Sequence, residues 1–279
     1  MPQPPPLTDR SALTLHRARA LARPDHQDAL FLHQIARSDI EERLIEVNRT
    51  FTTPAVVTGF PSVWADFHAN AAIVPDEEML GLAPQAHDLV IHAMALHWAN
   101  DPVGQLVQCR RALKPDGLCI AVFLGGETLG ELRVSLAEAE SLVSGGLSPR
   151  VLPMGEIRDL GALMQRAGFA LPVADSVSQV VAYRSLSRLF SDLRSMGETN
   201  ALHARLRRFS TKAMFAKAEL TYRDTYSTPE GHLKATFALQ FLTGWSPHDS
   251  QQSPLRPGSA KARLADALGV PETPLPKDS

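Results

Sequence analysis

The chain has 279 residues, of which 44% are hydrophobic and 21% are charged, enough for one large α/β domain with an appended part or for two small domains. A formal net charge of −2 and a pI near 6.6 argue against a nucleic-acid partner and against binding to an anionic membrane surface. No run of residues is apolar enough for a membrane span, and the N-terminal residues lack the order of a signal peptide, so we expect a cytoplasmic protein.

The first part of the chain predicts helices followed by one or two strands. Residues 1–8 are a proline-rich lead that we expect to be disordered, and helical patterns follow at 9–21 and 28–48. The apolar residues 55–58 predict a strand that ends at a single glycine, Gly59. Between Gly59 and Asp88 the chain has room for only one more short strand, at Ile73 and Val74.

The middle of the chain predicts a strand, a helix and a second strand. The run HDLVIHAMALHWAND, which continues through Asp101, begins with a buried parallel strand that ends by about Ala95. Asp101 caps a helix over 103–113, and the tight turn at 114–117 leads into a strand over 118–124. Ligands of such sheets bind beyond the carboxyl ends of the strands, which places residues 96–100 at the expected site.

The remaining elements predict an α/β domain over 9–245 and a Pro/Ser-rich tail over 246–279. We expect helices at 129–143, 157–168, 186–194 and 199–222, strands at 169–175, 180–183 and 236–242, and a short helix at 260–268. The helices over about 186–228 are expected to form a cap.

Several motifs together resemble one protein family. The LHW-x-ND strand exit and the ALKPDG turn resemble class I methyltransferases that use S-adenosylmethionine (SAM). The segments LGGETLGELR, SGGLSPR and SQQSPLRPGSA are similar to the branch that holds the biotin-synthesis malonyl-carrier methyltransferase and the mitochondrial complex I assembly factor. The resemblance implies a Rossmann-like three-layer sandwich, here with N-terminal helices, a helical cap and a sheet trimmed at the second-strand edge.

The same resemblance implies SAM as the cofactor, but the first turn departs from the family pattern. In the family the first strand ends in an acid and a glycine-rich turn, whereas here Val57 or Thr58 takes the acidic position and bulky residues follow Gly59. We therefore predict a damaged cofactor site. The residues that could still contact the cofactor are Thr58, Gly59, Asp76, Glu77, Leu96, His97 and Trp98.

Two further features leave alternatives open. Asp76 to Glu78 resemble the family's acidic loop beside the adenine, or they begin a helix and complement its dipole. His97 and Glu127 are the candidate catalytic residues, although Glu127 could instead cap a helix that starts near Thr128. The two cysteines, Cys109 and Cys119, lack metal-ligand spacing and are expected in the core, so no metal site is predicted.

Three functions remain open at this point. The first is a SAM-dependent methyltransferase that acts on a small molecule or a protein, such as a subunit of respiratory complex I. The second is a non-catalytic binding or assembly protein that keeps the fold and has lost SAM. The third is a protein arginine hydroxylase, which the resemblance to the assembly-factor branch implies.

Overall fold

The computed structural model describes residues 5–252 and residue 269. The helices are α1 (Arg10–Leu21), α2 (His26–Ala29), α3 (Phe31–Val47), α4 (Pro102–Ala112), α5 (Gly130–Ser144), α6 (Ile157–Arg166), α7 (Leu186–Ser195) and α8 (Lys212–Tyr226). The strands are β1 (Pro54–Thr58), β2 (Ala72–Val74), β3 (His87–Ala93), β4 (Leu113–Gly125), β5 (Ala170–Tyr183) and β6 (Leu233–Trp245).

The six strands form one sheet in the order β2-β1-β3-β4-β6-β5. Strands β1 to β4 are parallel, and β6 runs antiparallel to both of its neighbours. In the part of the chain that the structure describes, the sheet carries only the three-residue β2 beyond β1, which confirms the trimmed edge predicted from the shortness of the chain between Gly59 and Asp88.

Helices cover both faces of this sheet, because successive strand residues point to opposite sides. Val56 and Ile91 face one core, which they share with α3, α5, α7 and α8. Val57 and Val90 face a second core, which they share with α4 and α6. This arrangement is the predicted three-layer α/β sandwich.

The β3-α4-β4 unit forms as predicted, for the expected local reasons. The Asp101 side chain accepts a hydrogen bond from the Gly104 amide at 2.8 Å, and Pro102 occupies the first turn of α4. Asp116 adopts a positive φ of 59° in the turn before the apolar part of β4. The unit places the exits of β3 and β4 side by side at one edge of the sheet.

In three regions the predicted elements are wrong in their extent. The region predicted as one helix over 28–48 is divided between α2 and α3, and the two strands predicted within 169–183 are the single strand β5. In the helix predicted over 199–222, residues 199–211 are not helical. The Thr211 side chain caps α8 by accepting from the Met214 amide, so the helix begins only at Lys212.

The chain divides into two compact units, Met1–Pro247 and His248–Ser279. In the second unit, the described residues 248–252 form a turn in which His248 Nδ1 lies 2.7 Å from Ser250 Oγ. The predicted helix at 260–268 lies outside the described residues, as does half of the predicted N-terminal lead. Within the described part of the chain, no helix has the length and apolar character needed to cross a membrane.

Candidate functional site

The turn after β1 is packed against a side chain from the N-terminal helix. Arg17 of α1 lies so close to Gly59 that a Cβ atom at this position would collide with the guanidinium group. The Arg17 Cζ atom also lies 5.7 Å from the centroid of the Phe60 ring. The glycine at this turn therefore makes room for an arginine of the same chain.

Phe60 fills the space beside that arginine. Its side chain is only 1% exposed, and its ring contacts the His33 ring edge-on with 4.9 Å between the centroids. Gly197 approaches the ring from the segment after α7, closely enough that any side chain there would clash. Thr58 is buried below the turn and accepts a hydrogen bond from the Phe60 amide at 3.1 Å.

The acidic loop follows β2 directly, and its first residue is buried. Arg17 Nη1 lies 2.6 Å from Asp76 Oδ1, and Arg10 Nη1 lies 3.3 Å from Asp76 Oδ2. Since β2 pairs with β1, Asp76 lies just beyond the carboxyl end of the strand next to β1. The alternative that this acidic stretch begins a helix is wrong, because no helix starts between β2 and β3.

The other acids of this loop do not face a buried site. Glu77 is exposed, and its carbonyl oxygen accepts a hydrogen bond from Gln105 Nε2 at 3.0 Å. Glu78 is exposed too, and its carboxylate accepts from Asn100 Nδ2 at 3.2 Å. These contacts tie the loop to the rim after β3.

The residues at the ends of β1 and β2 do not fit SAM as the family pattern would bind it. Each oxygen of the Asp76 carboxylate faces an arginine, so about half of its acceptor positions are already used within the chain. The end of β1 offers Val57 and Thr58 in place of an acid for the ammonium group. Arg17 and Phe60 occupy the space next to Gly59.

The turn after β3 is built around a different acid. Leu96, His97 and Trp98 form a short helical turn and are all buried. Trp98 Nε1 donates to Glu198 Oε2 at 2.8 Å, and His97 Nε2 lies 3.1 Å from the same oxygen. His97 and Trp98 are thus held by one carboxylate, which comes from the segment after α7.

Burial raises the pKa of Glu198, but the charge of His97, its hydrogen bond and the charge of Arg17 outweigh burial and leave that pKa below its ordinary value. Glu198 was not among the site residues predicted from the sequence. Its only sequence signal is an acid within the polar stretch Gly197 to Asn200.

Glu127 does not join His97. It is exposed, and its side chain makes no hydrogen bond or ion pair with any residue that the structure describes. It also does not cap a helix near Thr128, since α5 begins at Gly130 and no side chain caps its N-terminus. Instead, the Thr128 hydroxyl closes the turn by donating to the Gly125 carbonyl at 2.7 Å.

An open cavity of about 250 Å³ lies on the other side of Trp98. Its walls are mostly apolar and come from the end of β4 and from α5, α7 and α8. Representative lining residues are Trp98, Leu124, Leu132, Phe190, Leu193 and Phe215. Glu198 contributes to the wall, so the carboxylate that organises the turn after β3 also borders this cavity.

Metal ligands and reactive thiols are not features of this site. In residues 5–252, no group of three or more His, Cys, Asp or Glu side chains could hold a metal ion. Cys109 and Cys119 are both buried, as predicted, and their mutual hydrogen bond together with burial raises the pKa of Cys119.

The buried His33 predicts acid sensitivity. Burial lowers the pKa of His33 from 6.5 to about 4, although Glu198 opposes this shift. As the pH falls below the unfolded-state pKa, the unfolded chain binds a proton that the folded chain does not, so stability decreases. We expect His33 to account for a loss of roughly 2 kcal/mol between about pH 7 and about pH 5. Urea unfolding of the wild type and of His33→Leu measures this difference, and parallel pH profiles would contradict it.

The chain matches one family profile and was compared with solved structures. The profile of a family described as a methyltransferase domain matches residues 18–121. The YcgJ protein of Bacillus subtilis superimposes over 70% of this chain and 92% of its own, with 11% sequence identity and a TM-score of 0.44.

The sequence relatives are more informative. The mitochondrial arginine-hydroxylase NDUFAF5 of Danio rerio is 36% identical over 232 residues, which is 82% of this chain and 72% of that protein. The malonyl-acyl-carrier-protein O-methyltransferase of Laribacter hongkongensis is 31% identical over 179 residues, which is 64% of this chain and 58% of that protein. Among the matched NDUFAF5 proteins, the chain spans from 45% to 72% of their length. The chain belongs to the family of methyltransferase-fold proteins that includes NDUFAF5 and the malonyl-acyl-carrier-protein O-methyltransferases.

Proposed function

We propose that this chain is a methyltransferase-fold binding protein that acts in respiratory complex I assembly without transferring a methyl group from SAM. The observation that carries the proposal is the buried Arg17–Asp76 ion pair, with 2.6 Å between Nη1 and Oδ1, at the end of β2. A donor bound in the family's manner would have to displace Arg17 and leave its charge without a partner. Displacing one member of a buried ion pair carries a large free-energy penalty.

The rest of the site supports binding without donor chemistry. The cavity beside Trp98 is open and mainly apolar, as binding sites for partner side chains and small ligands commonly are. Glu198 holds Trp98 in place at its wall through the hydrogen bond of 2.8 Å. The protein therefore combines an open apolar cavity with a turn after β1 that is packed by its own side chains.

A titration with SAM and with S-adenosylhomocysteine tests the proposal. We expect no heat of binding and no increase in melting temperature at millimolar ligand, because a ligand that binds only the folded state must raise that temperature. A malonyl-acyl-carrier-protein O-methyltransferase, a relative whose name assigns it methyl transfer, serves as the positive control. Micromolar binding of SAM to this chain would contradict the proposal and would favour the methyltransferase function.

A second candidate is arginine hydroxylation, which the name of the NDUFAF5 relatives favours at 36% to 39% identity. The test of arginine hydroxylation measures the mass of arginine-containing peptides from complex I subunits and compares cells that have this chain with cells that lack it. Loss of one oxygen atom from one such peptide in the cells without the chain would establish this candidate. Unchanged peptides together with defective complex I assembly would support the binding function.

The location of the protein stays a prediction. The sequence suggests the cytoplasm, whereas the names of the NDUFAF5 relatives describe those proteins as mitochondrial. Fractionation of cells that express the tagged chain at native level distinguishes a cytoplasmic pool from one that accompanies complex I subunits.

A further inference from the structure

A basic segment, residues 203–217, connects the loop after α7 to the first half of α8. It contains Arg205, Arg207, Arg208, Lys212 and Lys217 and no acidic residue. Arg205 and Arg207 pair with Asp9. The other three cations form no ion pair with any residue in the described part of the chain.

This basic segment borders the cavity beside Trp98. Phe215 lies on both, since it belongs to α8 and lines the cavity, and it is 37% exposed. Arg194 also lines the cavity, is exposed, and has no side-chain partner among residues 5–252. These two exposed residues mark the mouth of the cavity, where an apolar ring and an uncompensated positive charge stand together.

Exposed apolar side chains extend this surface. A second cavity of about 330 Å³ is lined by Arg208, Phe209 and Arg150, and Arg150 also lines the first cavity. Phe209 is fully exposed, and its two neighbours in sequence, Arg208 and Ser210, are charged or polar. Burying such a ring against a partner would be favourable, and aromatic and arginine side chains are typical of energetically important interface positions.

We infer that the cavity and the basic segment together form the docking site for an acidic protein segment that carries an aromatic side chain. The aromatic side chain enters the cavity beside Phe215, and flanking carboxylates meet Arg194, Arg208 and Lys212. This inference rests on the proposed binding function and names the chemistry of the partner. A protein segment is favoured over a lipid surface, because a single side chain can enter a recessed cavity of about 250 Å³ and a planar bilayer cannot.

Binding of a defined peptide to the full chain tests the docking site. The probe is a fluorescent, acetylated peptide with one phenylalanine between two pairs of glutamates, and the control peptide carries lysines instead. We expect only the acidic peptide to bind, with an affinity that falls as salt is raised. Arg208→Glu with Lys212→Glu should weaken binding by at least about tenfold, because the substitutions turn attraction into repulsion.

Two further variants keep the test specific. Met154→Trp fills the cavity from a half-buried loop position and should also weaken binding, while a circular dichroism melt confirms that the variant folds. The matched control is Arg158→Glu with Arg166→Glu, which changes the net charge equally on the exposed face of α6 and should leave binding unchanged. Equal effects of both charge-reversal pairs would overturn the docking site in favour of non-specific electrostatic binding.

A second experiment distinguishes a lipid partner from a protein partner. Sedimentation with phosphatidylglycerol vesicles that depends on Arg208 and Lys212, without binding of the acidic peptide, would replace the inference with a membrane surface. The outcome is independent of the SAM titration, since neither Arg208 nor Met154 contacts the Arg17–Asp76 pair in the described structure. SAM binding would contradict the proposed function, whereas lack of binding of the acidic peptide would contradict only the proposed docking site.

Discussion

We expect Asp76→Asn to lower the free energy of unfolding by about 3 to 5 kcal/mol, the range typical for breaking a buried ion pair from one side. The side chain of Asp76 is 4% exposed and that of Arg17 is 11% exposed, so water cannot easily replace the lost carboxylate. Arg10 also loses its charged partner. Urea denaturation at neutral pH measures the effect.

Two further variants show how the effect of Asp76→Asn on stability is to be interpreted. Asp66→Asn removes a carboxylate that pairs with Arg37 but is 82% exposed, and it should leave stability nearly unchanged because water screens such pairs. Replacing Arg17 with methionine in the Asp76→Asn background should recover part of the lost stability, since the unpaired charge is then removed. A stable Asp76→Asn variant would contradict the view that the pair closes the family's donor site.

Phe60→Ala should destabilise the protein by about 3 to 5 kcal/mol, as expected for emptying a well-packed aromatic position. Phe60 is 1% exposed and lies between His33 and Gly197, so its removal leaves a void bordered by groups from three separate elements. Thermal or urea unfolding provides the measurement.

Phe209→Ala is the matched control for this second effect. The Phe209 side chain is fully exposed, so the same deletion of atoms should leave stability within experimental error. A small loss of stability in Phe60→Ala would mean that the turn after β1 tolerates a cavity. The size of the Phe60 side chain would then not be needed to keep this turn packed.

Local signals predicted the centre of the fold correctly. The β3-α4-β4 unit follows from short apolar runs, a cap at Asp101 and a Pro-Asp-Gly turn, each of which acts within a few residues. The trimmed sheet follows from counting residues between Gly59 and Asp88. Such arguments need no knowledge of long-range contacts.

Long-range contacts explain what the sequence could not predict. Arg17 meets Asp76 across 59 positions, and Glu198 meets His97 across 101, so helical periodicity gives no indication of either pair. The resemblance of the Asp76 segment to an adenine loop likewise gave no indication that Asp76 contacts two arginines of α1. Partners that come from distant segments are visible only once the fold is known.

The prediction divided the continuous strand β5 into two strands, also because it could not include long-range contacts. Its middle carries Asp175 and Ser176, which suggest a turn, but β5 lies at the edge of the sheet and alternates between covered and exposed positions. Arg43 pairs with Asp175 at 2.6 Å, so this polar residue has a partner on α3. An edge strand can therefore include residues that would break a central one.

The arginine inserted beside Gly59 also affects how the cell can regulate this protein. A free metabolite stabilises its receptor only when its concentration exceeds its dissociation constant, so the abundance of such a receptor can follow nutrient supply. Arg17 is covalently part of the chain, and its effective concentration at Asp76 is constant. Under the proposed function, in which the chain does not bind SAM, we expect the folded population to be indifferent to the supply of methyl donor and starvation for methionine to leave its lifetime in the cell unchanged.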